Sequence, residues 1–191
     1  MDFNSIIYKR RTIRRFKQDA IPTETLRALV DYARLAPAGG NNQGLEYVIV
    51  KDKAICGKLF ELVKWAGNLP EHLRTPEQDR RPTAYIAVLF NTSIKKGAEA
   101  DAGAAVENIL LGAVTLGLGA CWMGAIDRGK IHKLLGLPTS HEVGYVISLG
   151  YPDEESVMEK YQGDFKYWKD DSGKMHVPKR SLDEIIFKLF E

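Results

Sequence analysis

A single domain mixing α and β structure is predicted by three observations. Four short apolar runs have strand length, stretches with helical apolar spacing lie between them, and 191 residues at 45% hydrophobic content can bury one sizeable core rather than two. No repeat or low-complexity tract interrupts this pattern.

Taken in order, residues 2–9 place Phe3, Ile6 and Ile7 at helical spacing and predict a short helix. A second helix follows Pro22, with Thr23 as its cap, Leu26, Leu29, Val30 and Ala33 on one face, and Pro37 as its stop. Strands are predicted at residues 47–50, 85–90, 120–123 and 143–149. The longest helix is expected over about residues 100–117. Its face of Ala102, Ala105, Val106, Ile109, Ala113 and Val114 is small enough for another backbone to approach closely, which motivates an expectation of homodimerisation. Asp127 should cap a shorter helix ending at Gly136, and Ser181-Leu182-Asp183-Glu184 matches a capping box that opens a last one.

Strands alternating with helices suggest a parallel nucleotide-binding sheet, and Gly117-Leu118-Gly119 invites comparison with a dinucleotide fingerprint. The spacing rejects it. Trp122 stands where the third glycine is needed, and these glycines close a helix instead of opening one.

Composition narrows the function classes. The 27 basic and 25 acidic residues leave a net charge of +2, which argues against wholesale nucleic-acid binding. Cys56 and Cys121 form no CxxC pair, and His72, His132, His141 and His176 have no paired spacing with a nucleophile or metal partner. No metal site and no catalytic side-chain acid or nucleophile is expected. The absence of a bilayer-length apolar run leads to the expectation of a soluble, cytoplasmic chain without a membrane partner.

Two motifs carry chemistry. Arg10-Arg11-Thr12-Ile13-Arg14-Arg15-Phe16 is a dense cationic run whose guanidinium forks and Thr12 hydroxyl suit phosphate oxygens. Lys179-Arg180 would allow both ends of the chain to serve one phosphate. A solvated face or a nucleic-acid arm is the competing reading of the run; the latter requires strongly salt-dependent binding. The loop Ala36-Pro37-Ala38-Gly39-Gly40-Asn41-Asn42-Gln43 combines backbone freedom with carboxamides, which suits the edge of a planar heterocycle, or is simply a turn.

These two motifs, together with Gly119-Ala120-Cys121-Trp122-Met123-Gly124, Leu149-Gly150-Tyr151-Pro152 and Lys179-Arg180, resemble the nitroreductase family of flavin enzymes over nearly the whole chain. The resemblance implies an α+β fold, with a central mixed β-sheet flanked by helices, in an intertwined homodimer that holds FMN at the subunit interface. It further implies that Arg10, Thr12 and Arg180 hold the FMN phosphate, with Arg11 and Arg14 reaching the phosphate, ribityl chain or pyrimidine side. Pro37, Ala38 and Asn41 would come from the partner, with Gln43 supporting their loop, and the amides around Trp122, Met123 and Gly124 would lie near the reactive side of the ring. Ala38 stands where many members carry Ser, and Gly44-Leu45 where Pro and an aromatic are usual, so hydrogen bonding near the ring is expected to differ. The Asn41-Asn42 doublet leaves a one-residue ambiguity that the spacing to Gln43 resolves towards Asn41.

The activity implied is hydride transfer from NADH or NADPH to FMN and onward to a small planar acceptor by ping-pong turnover. A flavin-binding sensor or store without nicotinamide-driven turnover is the alternative. Residues 65–70, with the charged stretch to Arg81, read either as a lid over the flavin or as packing, and Tyr161, Phe165, Tyr167 and Trp168 as a substrate-stacking patch or as a core or dimer contact.

Overall fold

In the computed structural model, which describes residues 2–191, the chain runs α1 (Phe3–Lys9), β1 (Phe16–Lys17), α2 (Thr23–Arg34), β2 (Leu45–Val50), α3 (Lys53–Phe60), α4 (Glu71–Arg74), β3 (Ala84–Asn91), α5 (Glu99–Thr115), β4 (Gly119–Met123), α6 (Arg128–Leu134), β5 (His141–Pro152), β6 (Ser156–Lys160), β7 (Trp168–Lys169), β8 (Met175–Lys179) and α7 (Leu182–Ile185). The four predicted strands and four of the five predicted helices form with boundary shifts of a few residues. The Asp127 carboxylate caps α6 by accepting from the Lys130 N–H.

β3 organises the molecule, because successive side chains of a strand point to opposite faces. Ala84, Ile86 and Val88 join Leu26, Leu29, Ala105, Val106 and Ile109 on the face covered by α2 and α5. Tyr85, Ala87 and Leu89 join Leu59, Phe60 and Ile131 on the face covered by α3 and α6. The sheet is therefore buried on both sides. Its order is β1-β5-β3-β2, with β4 also on β5, and these strand pairs are antiparallel. Parallel pairing enters at a Thr12–Ala120 bridge and in the small sheet, where β8 pairs parallel to β6 and antiparallel to β7.

Three expectations are corrected. Thr23 is the first residue of α2 and not its cap, a place that Pro22 takes without a side-chain hydrogen bond. The small-residue side of α5 is consumed within the chain: Ala102, Ala105 and Ala113 are buried in the core shared with α2 and the sheet. Gly112 marks the closest approach, since a Cβ there would come within 2.4 Å of the Tyr32 ring. That face cannot drive dimerisation. The capping box at Ser181 does form, but α7 ends at Ile185, because so short a helix needs tertiary packing and its apolar side chains find none in one chain. What stays exposed is instead Phe3 and Tyr8 on α1 and, beyond β8, Leu182, Ile185, Phe187, Leu189 and Phe190.

Candidate flavin site

The arginine run lies along β4. The Ile13 N–H donates to the Ala120 carbonyl at 3.0 Å, next to the Thr12–Ala120 bridge. Gly119 permits this approach, since a Cβ there would stand 2.8 Å from the Ile13 Cβ. The run is thus bound to the strand that ends in Trp122 and Met123, followed by Gly124.

Beside this junction is a groove of about 540 Å³, lined by Arg10, Arg11, Ile13, Leu110, Gly119 and Ser156, among others. The Arg10 Nε pairs with Glu107 of α5 at 3.3 Å. Arg11 donates to the carbonyls of Arg10 (2.6 Å) and Tyr8 (3.0 Å), while its Nε is buried without a partner among the described residues. The Ser156 Oγ is likewise buried and unpartnered. Burial, followed by the like charge of Arg10, lowers the Arg11 pKa. An anion in the groove would relieve both costs by pairing the cation and occupying its free donor. The donor set therefore fits a phosphate.

Arg14 is positioned from outside the run. Its N–H donates to the Glu154 carboxylate at 2.5 Å, and its guanidinium stands 4.9 Å over the Tyr167 ring. Glu154 is itself buried with Lys169 at 3.0 Å and Arg15 at 3.7 Å, and Arg15 forks onto Glu77 at 2.7 and 3.0 Å. Arg15, outwardly one more arginine of the run, is thus an internal tie between the run and residues 73–77. The hydrogen bond from Arg15 holds the Glu77 carboxyl down at about 2. At the far end of β4, Trp122 is 39% exposed and meets the Tyr145 ring edge-on at 5.2 Å, Met123 is buried, and Gly124 is exposed.

The carboxamide loop is a strained turn. Gly40, Asn41 and Gln43 have φ of 61°, 53° and 52°, a region only glycine enters freely. Asp101, buried in the first turn of α5, accepts the Gly39 N–H at 3.0 Å and pairs with Lys95 at 2.6 Å; the Lys95 bond, then the Gly39 N–H, lowers its pKa. The Asn42 side chain is spent on the Gly39 carbonyl at 2.6 Å, and the Gln43 amide reaches the Asn41 carbonyl at 3.4 Å. Of the doublet, Asn41 is thus the carboxamide free to meet a ligand. Pro37 is exposed and Ala38 half-buried beside it.

Arg10, Arg11, Thr12 and the start of β4 are thus brought together, while the 36–43 loop is not. Its Asp101 anchor and the groove residue Val114 lie at opposite ends of α5, about 20 Å apart at 1.5 Å per residue. Arg180 also stands apart from the groove lining, donating to the Glu184 carbonyl.

The nitroreductase family model matches residues 7–151. The chain belongs to the nitroreductase family. It is 32% identical over 170 residues to an Archaeoglobus fulgidus protein provisionally named NADH dehydrogenase/NAD(P)H nitroreductase, covering 85% of this chain and 91% of that one. It is 30% identical to a Thermus thermophilus NADH dehydrogenase, covering 81% and 89% of the two chains. Among solved structures, a provisionally assigned Desulfovibrio desulfuricans nitroreductase in complex with FMN superposes with a TM-score of 0.71 at 24% identity, over 98% of this chain and 96% of that one, and shows the shared nitroreductase fold.

Sequence reasoning missed Glu154, Glu107 and Asp101, which position the arginines and the loop. Nothing local in the sequence marks these acids; only their distant partners give them roles. Of the two readings of residues 65–70, packing holds for part of the segment, since Trp65 is buried against Phe60 at 5.2 Å, and Ala66 and Leu69 pack with Met175. Tyr161 stacks on Phe165 at 4.4 Å and Trp168 on His176 at 4.1 Å, so each of these rings has a stacking partner within the chain.

Proposed function

We propose that the chain binds FMN between two copies of itself and acts as an NAD(P)H-dependent oxidoreductase on a small planar acceptor: a nitroaromatic, quinone, flavin or enone. The observation that carries this reading is the pairing of an anion-ready groove at one end of α5 with a strained carboxamide loop at the other, in a member of this family. Within one chain the loop's Asp101 anchor and Val114 of the groove stand about 20 Å apart along α5, so in this reading the loop is contributed by a second copy. The exposed Phe3, Tyr8, Phe187 and Phe190 supply apolar surface for that copy to cover.

In this reading Arg10, Arg11 and Thr12 hold the phosphate, joined by Arg180 when the C-terminal segment is ordered against the partner. β4 leads from that end towards the ring, over about 13 Å for the four residue steps from Gly119 to Met123. Backbone N–H groups around Trp122 to Gly124 would stabilise negative charge developing on the ring edge, and Arg14 would favour its anionic reduced form. Pro37, Ala38 and Asn41 of the second copy would close the other side, held by Gln43 and Asp101. Bound FMN would supply the redox chemistry, with donor and acceptor served in turn at one place, so that turnover would be ping-pong. The protein's own part is to bind, orient and bias charge.

The test is the visible spectrum of the purified protein during anaerobic addition of NADPH and then NADH, with the released chromophore identified by mass. Flavin absorbance that bleaches supports the reductase. FMN that stays oxidised with both donors removes the turnover and leaves the binding, and failure to bind FMN on reconstitution overturns the reading.

A further inference from the structure

Away from the arginine groove, a second cavity of about 320 Å³ opens on the α3 face of the sheet and shares no lining residue with the groove. Its wall carries Lys51, Lys53 and Arg81, but no aspartate or glutamate. Three residues of that wall have a buried polar atom without any partner among the described residues: the Arg81 Nε, the Thr83 Oγ1 and the Tyr85 hydroxyl. Tyr85 is fully buried. Leaving three such atoms unmatched in one place is costly, because each forfeits its hydrogen bonds to water. Seven side-chain atoms of this kind occur among the described residues, and three of them gather here.

The neighbouring chemistry is consistent. The Arg81 guanidinium carbon stands 3.8 Å from the centroid of the Phe60 ring, and Glu61 accepts from its Nη1 at 3.4 Å. These contacts hold the guanidinium while its Nε stays without a partner among the described residues. Lys51 is steered by the Thr23 hydroxyl at 3.0 Å. Burial pushes the Cys56 thiol up to about 11 and the Tyr85 hydroxyl well above its ordinary value, so both stay neutral near pH 7. Ile21, Phe60 and Pro82 supply apolar wall.

We propose that this cavity is a second ligand site, for a small organic carboxylate with an apolar or aromatic body, bound through Arg81, Thr83 and Tyr85. Three residues with an unpartnered donor stand in the wall beside its cations, and the remaining wall accepts a ring. A cavity of this size lies at the small end of ligand sites and suits a single-ring acid. Occupancy on the α3 face would not require displacement of anything held by the arginine groove.

The test uses the full-length protein saturated with FMN and 4-fluorobenzoate as probe, followed by 19F NMR, with flavin absorbance recorded in parallel to report any binding beside the ring. The expected result is saturable binding without a flavin spectral change, weakened about tenfold or more in Arg81→Gln and in Thr83→Val/Tyr85→Phe. The neutral probe 4-fluorobenzyl alcohol should bind about tenfold more weakly than the acid. The double variant removes only unpartnered hydroxyls, so its fold, checked by near-UV circular dichroism, should be intact. Three outcomes overturn the proposal: binding equal for acid and alcohol, binding unchanged in both variants, or no binding at millimolar probe, in which case the three polar atoms are satisfied by internal water only.

Discussion

Replacing Glu154 by Gln tests the tie that holds the arginine run in place. The Glu154 side chain is 2% exposed and faces Lys169, 5% exposed, at 3.0 Å, and Arg15, 4% exposed, at 3.7 Å. Arg15 retains Glu77 when Glu154 is neutralised, whereas Lys169 has no other carboxylate partner among the described residues. The substitution therefore leaves one buried ammonium uncompensated, a situation that costs about 3–5 kcal/mol. For a domain of this size each kcal/mol moves the melting temperature by about 2–4 °C, so the expected fall is roughly 6–20 °C. Urea and thermal unfolding followed by far-UV circular dichroism measure it. Glu154→Gln/Lys169→Met should recover much of the loss, because removing the stranded charge removes the cause. A loss below about 1 kcal/mol, or no recovery in the double variant, would refute the argument that this carboxylate compensates buried charge. The Gln variant should also bind FMN more weakly, since the Arg14 N–H rests on the same carboxylate.

Arg10→Ala should weaken FMN binding by about 1.5–3 kcal/mol through loss of a charge-assisted bond, measured by fluorescence titration; unchanged affinity would remove Arg10 from the site. Gly112→Ala forces a methyl to within 2.4 Å of the Tyr32 ring and should cost about 1–3 kcal/mol in urea unfolding, with the α2–α5 packing at fault if Tyr32→Ala relieves it. The Glu77 carboxyl sits near 2 when folded, below its ordinary 4.5, so its stabilisation is complete above about pH 4.5 and is lost as pH falls towards 2. Arg15→Met should flatten that part of the stability-against-pH curve, and an unaltered curve would exclude the Arg15–Glu77 pair as its source. Deleting residues 182–191 should yield a monomer in sedimentation with little bound FMN; a truncated dimer with full FMN would show that the exposed tail takes no part in assembly.

Periodicity and punctuation are local properties, and they carried the elements well. Leu26, Leu29 and Ala33 at helical spacing, the β-branched run at 143–149 and the Asp127 and Ser181 caps all depend on interactions within a few residues. The short strands of the small sheet were not legible, because β7 has two residues and exists only through its pairing with β8.

By itself the sequence determined the family, the order of four main strands and of the longer helices around them, and the cationic and carboxamide segments, since each is written in residue type and spacing. Tertiary structure decided what those segments do. It spent the small face of α5 inside the chain, turned Arg15 from a surface cation into a buried tie, and released Asn41 by engaging Asn42. It also set the loop and the groove at opposite ends of one helix. Each of these outcomes depends on contacts between residues far apart in the chain, where the partner and not the residue type fixes whether a charge is solvated, buried or free.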